Sequence, residues 1–258
     1  MLTRFSLVSW AIPLIPIGAG AALYFSGLQQ STFQTINAFT QVAPDWVWTW
    51  LTFLGNGWGV FALSFPLLVL APRALSAAIF AGGVAAIISA ILKNTLSLPR
   101  PAGLLQNHEF YRIGEAVFHN AMPSGHTLTA FAVASAYFFS VSKEKRAPLM
   151  LLLLLAACVG LSRNAIGAHW LTDVLVGSGL GMWCGLIGAQ LASLLSTKQL
   201  LPRSIWPRIV ALGGLVCLYI LLFKTLDHPL NLPLQYAGIA LILLTLVLFV
   251  QQQSRRRI

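Results

Sequence analysis

Residues 147–173 of the chain read APLMLLLLLAACVGLSRNAIGAHWLTD. The first part, 148–161, holds no charged residue and has the apolar character of a helix that crosses a lipid bilayer. Arg163, His169 and Asp173 then follow closely. Because ionisable side chains are costly in so apolar a setting, those that persist there are usually functional. The stretch therefore predicts a membrane helix that ends at a chemical site.

The whole composition favours a membrane protein. Of the 258 residues, 57% are hydrophobic and 9% are charged, whereas an ordinary soluble domain has roughly 25% charged residues. The formal charge of +10 would suggest nucleic-acid binding in a soluble protein. Here the cations lie mostly in short loops between apolar segments, where the positive-inside rule explains them. We therefore predict an all-α, polytopic transmembrane helix bundle and no nucleic-acid partner.

Eight apolar segments are predicted to span the membrane, since each approaches the roughly 20 residues that a helix needs. They are 5–25, 47–70, 75–95, 125–141, 147–161, 170–195, 208–223 and 234–250. The second is the least regular, because Gly55-Asn56-Gly57 interrupts it. The first lacks a convincing small-residue cleavage site and is therefore predicted to be a retained helix. The three cysteines have no paired spacing, which indicates neither a disulfide framework nor a zinc site.

The distribution of cations predicts the orientation of these spans. With a cytoplasmic N-terminus and eight crossings, 11 of the 16 Lys and Arg residues fall in cytoplasmic segments. Those 11 are Arg4, Arg73, Lys143, Lys145, Arg146, Lys198, Arg203, Arg208, Arg255, Arg256 and Arg257. The remaining five, on the opposite side, are Lys93, Arg100, Arg112, Arg163 and Lys224. We expect both termini to be cytoplasmic and the site to lie at the outer ends of the spans.

His169 and Asp173 form the first candidate pair. On a helix that begins near His169 they would lie four residues apart on one face, so that the carboxylate accepts the imidazole N–H. Such a pair fixes the tautomer and favours a positively charged ring, which a nucleophilic or general-base histidine needs. Arg163 adds a permanent fork of donors suited to an oxyanion such as phosphate.

A second group of candidates begins at the end of the third span. Proline on both sides of Arg100 holds the chain extended and presents the guanidinium from a stiff segment. Lys93 lies seven residues earlier, about two helical turns back. It either points at the same site or snorkels toward the lipid headgroups.

Residues 123–126, Pro-Ser-Gly-His, begin the fourth predicted span. With Ser124 at the N-cap, the backbone N–H groups of Gly125 and His126 stay unpaired and form an anion site. Simple helix capping by the serine is the alternative. A second titratable histidine at the same place favours chemistry.

These residues form three motifs. Lys93 to Pro101 has the form K-x6-R-P, residues 123–126 are P-S-G-H, and Ser162 to Asp173 has the form S-R-x5-H-x3-D. In order, spacing and residue type they resemble the signature of the type 2 phosphatidic acid phosphatase (PAP2) superfamily, in its membrane-embedded branch. The resemblance covers about residues 5–195 and implies a six-helix core. We expect a catalytic core at 1–197, followed at 198–258 by two additional helices and a basic cytoplasmic tail.

The resemblance also implies a role for each motif residue. His169 would be the nucleophile that forms a phosphohistidine, with Asp173 orienting it. His126 would give a proton to the leaving oxygen and later activate water. The residues implied to bind phosphate are Lys93, Arg100, Ser124, Gly125 and Arg163. With three cations around one phosphoryl group a metal ion is not required, and we expect no cofactor.

The location of the site predicts the substrate class and the compartment. A phosphate site on the outer membrane face favours a phosphate carried on a lipid anchor. Undecaprenyl diphosphate, phosphatidylglycerol phosphate and phosphatidate fit this description, and lipid A is a further alternative. The short loops resemble bacterial members, so we expect the bacterial inner membrane, a periplasmic site and no obligate protein partner.

Three other functions remain open from the sequence. A lipid phosphotransferase would share the phosphoenzyme and pass the phosphate to a second lipid. A transporter or flippase would also place charges in the membrane, but along the spans rather than gathered at one end. The superfamily's vanadate-dependent haloperoxidases share the motifs, but they are soluble, and the hydropathy argues against them.

Other conspicuous residues are predicted to have structural or solvent-facing roles. His108, His119 and His228 lie in predicted outer loops without a recognisable partner. The runs Ala81-Gly82-Gly83 and Gly177-x-Gly179-x-Gly181 are typical of close contacts between membrane helices.

Overall fold

A computed structural model describes residues 5–255, which form helices joined by loops, with no strand among them. The helices are α1 (Leu7–Ala11), α2 (Leu14–Phe25), α3 (Gln29–Thr40), α4 (Asp45–Phe53), α5 (Gly57–Ser64), α6 (Leu67–Leu70), α7 (Pro72–Leu96), α8 (Pro101–Leu104), α9 (Gly125–Ser140), α10 (Met150–Ala165), α11 (Leu171–Ser193), α12 (Ile205–Phe223) and α13 (Leu232–Arg255). The all-α prediction is confirmed. Arg4, Arg256 and Arg257, which enter the predicted orientation, lie outside the described residues.

Six stretches of the described residues are long and apolar enough to cross a membrane. They are Leu7–Phe25, Pro72–Leu104, Ala147–Ala165, Leu171–Ser193, Lys198–Phe223 and Pro229–Ser254, and each overlaps a predicted span. The predicted spans 47–70 and 125–141 are not among the six. The first is divided into α4, α5 and α6, and the second forms α9, a helix of 16 residues. Such a helix is about 24 Å long, which is shorter than a hydrocarbon core of about 30 Å.

The break between α4 and α5 lies at the glycine-rich interruption of the second predicted span. Asn56 is the N-cap of α5, and its side-chain oxygen accepts the backbone N–H groups of Trp58 and Gly59 at 3.0 and 3.3 Å. Gly55 lies against α9, since a Cβ atom added to it would lie 2.7 Å from the carbonyl oxygen of His126. The break therefore allows the chain to approach the start of α9 closely.

Small residues allow α7, α9 and α11 to pack together at the centre of the bundle. A Cβ atom added to Gly181 of α11 would lie 2.5 Å from the Leu128 carbonyl oxygen in α9. One added to Gly188 would lie 2.7 Å from the Cβ atom of Ala81 in α7. The predicted close helix contacts are thus confirmed at Gly181 and Ala81. At Gly82 the same prediction is wrong, because an added Cβ atom would meet open space.

Replacing Gly181 with leucine is expected to destabilise the bundle. The side chain would collide with the backbone of α9, and overpacking of this kind typically costs about 1–3 kcal/mol. The measurement is the thermal unfolding midpoint of the purified protein in detergent. Gly18→Leu is the matched control, because Gly18 is exposed and an added Cβ atom there meets nothing within 4 Å. Equal midpoints for the two variants would contradict the packing described here.

The last two helices pack against α5 and α6. Phe65, Leu221 and Ile242 lie in one shared apolar cluster between them. The indole N–H of Trp206 in α12 also donates to the Ser76 hydroxyl of α7 at 2.7 Å. These contacts position the loop between α12 and α13 at the end of the bundle where α9 begins.

The helix α3 is absent from the predicted spans, because its sequence QQSTFQTINAFT is largely polar. Phe33 and Asn37 are its buried anchors, and the Phe33 ring packs edge-on against Trp170 at 5.1 Å. The Asn37 amide accepts the backbone N–H of Tyr111 at 2.8 Å and donates to the Asn164 carbonyl oxygen at 3.0 Å. Through these contacts α3 ties the loop between α8 and α9 to the end of α10.

Candidate active site

His169 lies just before α11 and contacts the first turn of that helix. Its Nδ1 lies 3.1 Å from Oδ2 of Asp173, and the same oxygen accepts the backbone N–H of Trp170 at 3.0 Å. The geometry differs from the expected helical face, because Trp170 is the N-cap and His169 stands outside the helix. Both members of the pair are buried, with 2% of His169 and 1% of Asp173 exposed. A hydrogen bond to a helix's first turn therefore fixes the ring.

Burial and positive charge keep His169 neutral. The pKa of His169 is lowered well below its usual value, chiefly by burial and then by the positive charges of Arg100, Arg163 and Lys93. Since Nδ1 faces a carboxylate, we assign the ring hydrogen to Nδ1, which leaves the Nε2 lone pair free. A neutral imidazole with a free Nε2 is the form in which histidine attacks an electrophile.

A tight turn after α10 presents His169. The backbone N–H of His169 donates to the Arg163 carbonyl oxygen at 3.2 Å. The His169 carbonyl oxygen accepts from the buried Asn164 amide at 3.2 Å. Gly167 has a φ of 73°, and an added Cβ atom would lie 2.8 Å from the Phe110 ring. Both the backbone conformation and the close contact require glycine here.

Arg163 is buried at the end of α10 with much of its donor capacity unused. Only 7% of the residue is exposed, and one terminal nitrogen donates to Thr52 Oγ1 at 3.3 Å. Its Nε–H has no partner among the described residues, and no described carboxylate lies within 4.0 Å of the guanidinium. A buried charge is unfavourable unless it is compensated. The arrangement therefore suits a bound oxyanion.

Lys93, in the last turn of α7, and Arg100, just before α8, approach the same region. Arg100 donates from Nε to the His119 carbonyl oxygen at 2.9 Å and from a terminal nitrogen to the Ala168 carbonyl oxygen at 3.3 Å. These bonds hold the guanidinium beside the turn that follows α10. The Lys93 ammonium lies 3.6 Å from where a Cβ atom on Gly125 would stand. Lys93 thus points at the start of α9.

The start of α9 is an open helix N-terminus. Ser124 occupies the N-cap position, but its side chain makes no capping bond. Instead its Oγ accepts the Thr127 hydroxyl at 2.9 Å, which leaves the Ser124 hydroxyl hydrogen available. The backbone N–H groups of Gly125 and His126 lie in the first turn, where an α-helix supplies no partner. These donors suit an anion.

His126 has a partner that none of the motifs contains. Its Nε2 lies 3.1 Å from Oδ1 of Asp227, in the loop between α12 and α13. Asp227 is one of six acidic residues in the chain and lies 101 positions from His126. Its place in a predicted outer loop was the one sequence signal that could have marked Asp227 as a site residue. No local spacing connects it to the P-S-G-H motif.

The other three histidines lie outside this cluster. His108 and His119 are exposed, and the His119 side chain takes no part in the bond that its carbonyl oxygen makes with Arg100. His228 accepts the Leu230 backbone N–H at 3.2 Å within its own loop. Their predicted role as loop residues agrees with these contacts.

An apolar cleft leads away from the start of α9. Its volume is about 760 Å³, and it runs among α5, α7 and α9. Gly125 and His126 line one part of it, and Val60, Gly82 and Val133 line its apolar walls. A cleft of this size and character suits an elongated hydrocarbon group.

Residues 74–195 match the sequence model of the PAP2 superfamily. A curated relative, lipid A 1-phosphatase of Porphyromonas gingivalis, is 36% identical over 78 residues, which cover 30% of this chain and 17% of that protein. The match thus spans less than a fifth of the relative's own length.

Two crystal structures share the fold. LpxE of Aquifex aeolicus superposes with a TM-score of 0.54 and 26% identity, covering 63% of this chain and 94% of that one. A transmembrane PAP2 type phosphatidylglycerolphosphate phosphatase from Bacillus subtilis superposes with a TM-score of 0.53 and 22% identity, covering 74% and 97%. Residues 74–195 therefore carry the sequence pattern of the PAP2 superfamily, and the chain shares its helical fold with a transmembrane protein of the PAP2 type.

Proposed function

We propose that this chain is a lipid phosphatase that hydrolyses a lipid-linked phosphate or diphosphate through a phosphohistidine at His169. The observation that carries the proposal is the pairing of His169 with Asp173 at a place where three cations act on the same ring. A phosphoryl group carries negative charge, which the three cations offset. A neutral nucleophile beside them suits attack on phosphorus, because that charge does not repel it.

In the first step, Nε2 of His169 attacks phosphorus in line, and the bond from phosphorus to the leaving oxygen breaks. His126 is protonated in this step and donates a proton to that oxygen. Asp173 accepts the Nδ1–H and stabilises the positive charge that develops on the His169 ring. The products are a phosphohistidine and a lipid alcohol, or a lipid monophosphate where the substrate is a diphosphate.

In the second step, water attacks the phosphorus of the phosphohistidine. His126, now neutral, takes a proton from that water. The N–P bond breaks, and its electron pair returns to Nε2 of His169. Through both steps the phosphoryl oxygens are held by the residues proposed to bind phosphate, which are Lys93, Arg100, Ser124, Gly125 and Arg163. Three cations supply the neutralisation that a metal ion gives in other phosphatases, so the proposed reaction is metal-independent.

The apolar cleft supports a lipid-linked substrate. A hydrocarbon chain lying in it would bring an attached phosphate to Gly125 and His126, where the cleft meets the site. The relatives' names point to lipid A and to phosphatidylglycerol phosphate as headgroup types. We propose undecaprenyl diphosphate, phosphatidylglycerol phosphate or phosphatidate as the substrate, with lipid A as the alternative.

We also propose the bacterial inner membrane as the location, with a periplasmic site and cytoplasmic termini. The cation count of the loops supports this orientation. The proposed catalytic core is 1–197, and 198–258 adds two helices to it.

A phosphate-release assay tests the function. The purified protein in detergent is given each of the four lipid phosphates with a chelator present and no second lipid as acceptor. We expect free phosphate from at least one of them. Consumption of the substrate only when an acceptor lipid is added, with the phosphate found on that acceptor and not free in solution, would show a phosphotransferase. Release of phosphate only after a divalent metal is restored would contradict metal independence.

Replacing Gly82 with leucine is expected to narrow the cleft without disturbing the fold, because an added Cβ atom there meets open space. We expect kcat/KM for a long-chain substrate to fall about tenfold relative to a short-chain analogue with the same headgroup. The measurement is that ratio in Gly82→Leu against Gly18→Leu. An unchanged ratio would show that the lipid chain lies elsewhere.

A further inference from the structure

Asp227 is held between two partners at the active-site end of the bundle. Its Oδ1 lies 3.1 Å from Nε2 of His126, and its Oδ2 accepts the Asn56 amide at 3.0 Å. The His126 and Asp227 side chains are 22% and 21% exposed, so the pair is mostly shielded from solvent. Each carboxylate oxygen therefore has a defined partner, and the partner of Oδ1 is the histidine of the P-S-G-H motif.

The loop that carries Asp227 is braced from α13 and the short turn before it. Gln235 is 1% exposed, and its amide accepts the Leu226 N–H at 2.8 Å and donates to the Lys224 carbonyl oxygen at 2.9 Å. Asn231, fully buried, donates to the Leu226 carbonyl oxygen at 3.1 Å. Asp227 itself has a φ of 60°, a conformation that is uncommon outside glycine. Two buried amides thus fix the backbone just before one strained aspartate.

The charges around His126 explain what this carboxylate does. Burial, Arg163 from α10 and Lys93 from α7 lower the pKa of His126 below its usual value, and Asp227 partly offsets them by favouring the protonated ring. Burial alone would raise the pKa of Asp227, but the hydrogen bond and charge of His126, with Arg163 and Asn56, outweigh burial and lower it. The carboxylate therefore stays ionised beside the imidazole.

We infer that Asp227 is a positioning residue that orients His126 and favours its protonated form, and that α12 and α13 complete the active site by supplying it. The inference rests on the proposed function, in which His126 is the acid of the first step. With Nε2 bound to Asp227, Nδ1 is the nitrogen that faces the leaving oxygen. The proton passes from Nδ1 of His126 to that oxygen as the P–O bond breaks, and Asp227 keeps its negative charge throughout.

Kinetics of Asp227→Asn give the first test. This substitution keeps the size of the side chain and removes its charge. We expect kcat at pH 7 to fall about tenfold with little change in KM, and the alkaline limb of the kcat profile to move about one pH unit lower. Asp227→Glu should recover part of the loss. Glu115→Gln, at an exposed acid in the loop between α8 and α9, is the matched control and should behave as wild type.

A titration that needs no turnover gives the second test. The five histidines are isotopically labelled in protein held in nanodiscs, and the His126 resonance is assigned with a His126→Gln variant. We expect its titration midpoint to fall about one pH unit in Asp227→Asn. Gln235→Met, which removes the brace but leaves the carboxylate, should shift the midpoint in the same direction.

The two tests separate this inference from the proposed function. A wild-type protein that releases no phosphate would overturn the proposed function, while a shifted His126 midpoint would still support the pair. An active wild type whose Asp227→Asn variant keeps both its pH profile and the His126 midpoint would overturn the inference. A variant that only unfolds at lower temperature, with both readouts unmoved, would do the same.

Discussion

Replacing His169 with alanine is expected to lower phosphate release at least about 10⁴-fold, because it removes the atom that is proposed to form the covalent intermediate. His126, the other imidazole at the site, also contacts a carboxylate, but it has the separate proposed role of acid and base and is not expected to replace His169. The measurement is the initial rate of phosphate release from the best lipid substrate. His108→Ala is the matched control, since His108 is exposed in the loop between α8 and α9.

The thermal midpoint of His169→Ala separates loss of chemistry from loss of fold. We expect a folded protein, because the turn is held by backbone bonds to Arg163 and by the Asn164 amide. The carbonyl oxygen and N–H of residue 169 make these bonds, and alanine keeps both. A folded variant that retains more than about a hundredth of wild-type activity would place the nucleophile elsewhere.

Replacing Arg163 with lysine is expected to lower kcat about 10²–10³-fold, although the charge is kept. The guanidinium is buried and bonded to Thr52, with its Nε–H unpartnered, and it presents a planar fork that an ammonium group cannot reproduce. Arg112→Lys makes the same chemical change in the loop between α8 and α9, where Arg112 donates to Asn107 at 3.0 Å, and should leave kcat near wild type. The measurement is kcat and KM for both variants on one lipid substrate.

The division between kcat and KM decides the role of Arg163. Stabilisation of charge that develops in the transition state lowers kcat and kcat/KM together. If Arg163→Lys raised KM alone, the arginine would only bind the substrate. If it lowered the thermal midpoint without changing either constant, its role would be structural.

Much of the fold follows from hydropathy, because each long apolar segment must form a helix to satisfy its backbone in lipid. The six candidate spans reflect this rule. The exceptions are segments whose position depends on neighbours. The 16-residue α9 is covered on several sides by other helices, and the polar α3 is stabilised by Phe33 and Asn37 through contacts with residues far along the chain.

The motifs identify candidate site residues, but spacing within a motif does not report contacts between distant segments. Trp170 rather than His169 caps α11, which changes how the His169 contact with Asp173 is made. Asp227 reaches His126 only because α12 and α13 pack on α5 and α6. Such a contact depends on tertiary packing, which local periodicity cannot supply.

The most direct test of the proposed mechanism is to trap the intermediate. The protein is mixed briefly with a lipid substrate labelled in its terminal phosphate, quenched in alkali and digested, and the labelled peptide is sequenced. Phosphohistidine is retained in alkali and lost in acid, so the account predicts an alkali-stable, acid-labile label on His169 that is absent from His169→Ala. A label on another residue, or rapid hydrolysis by wild type without any trapped label on His169, would contradict it.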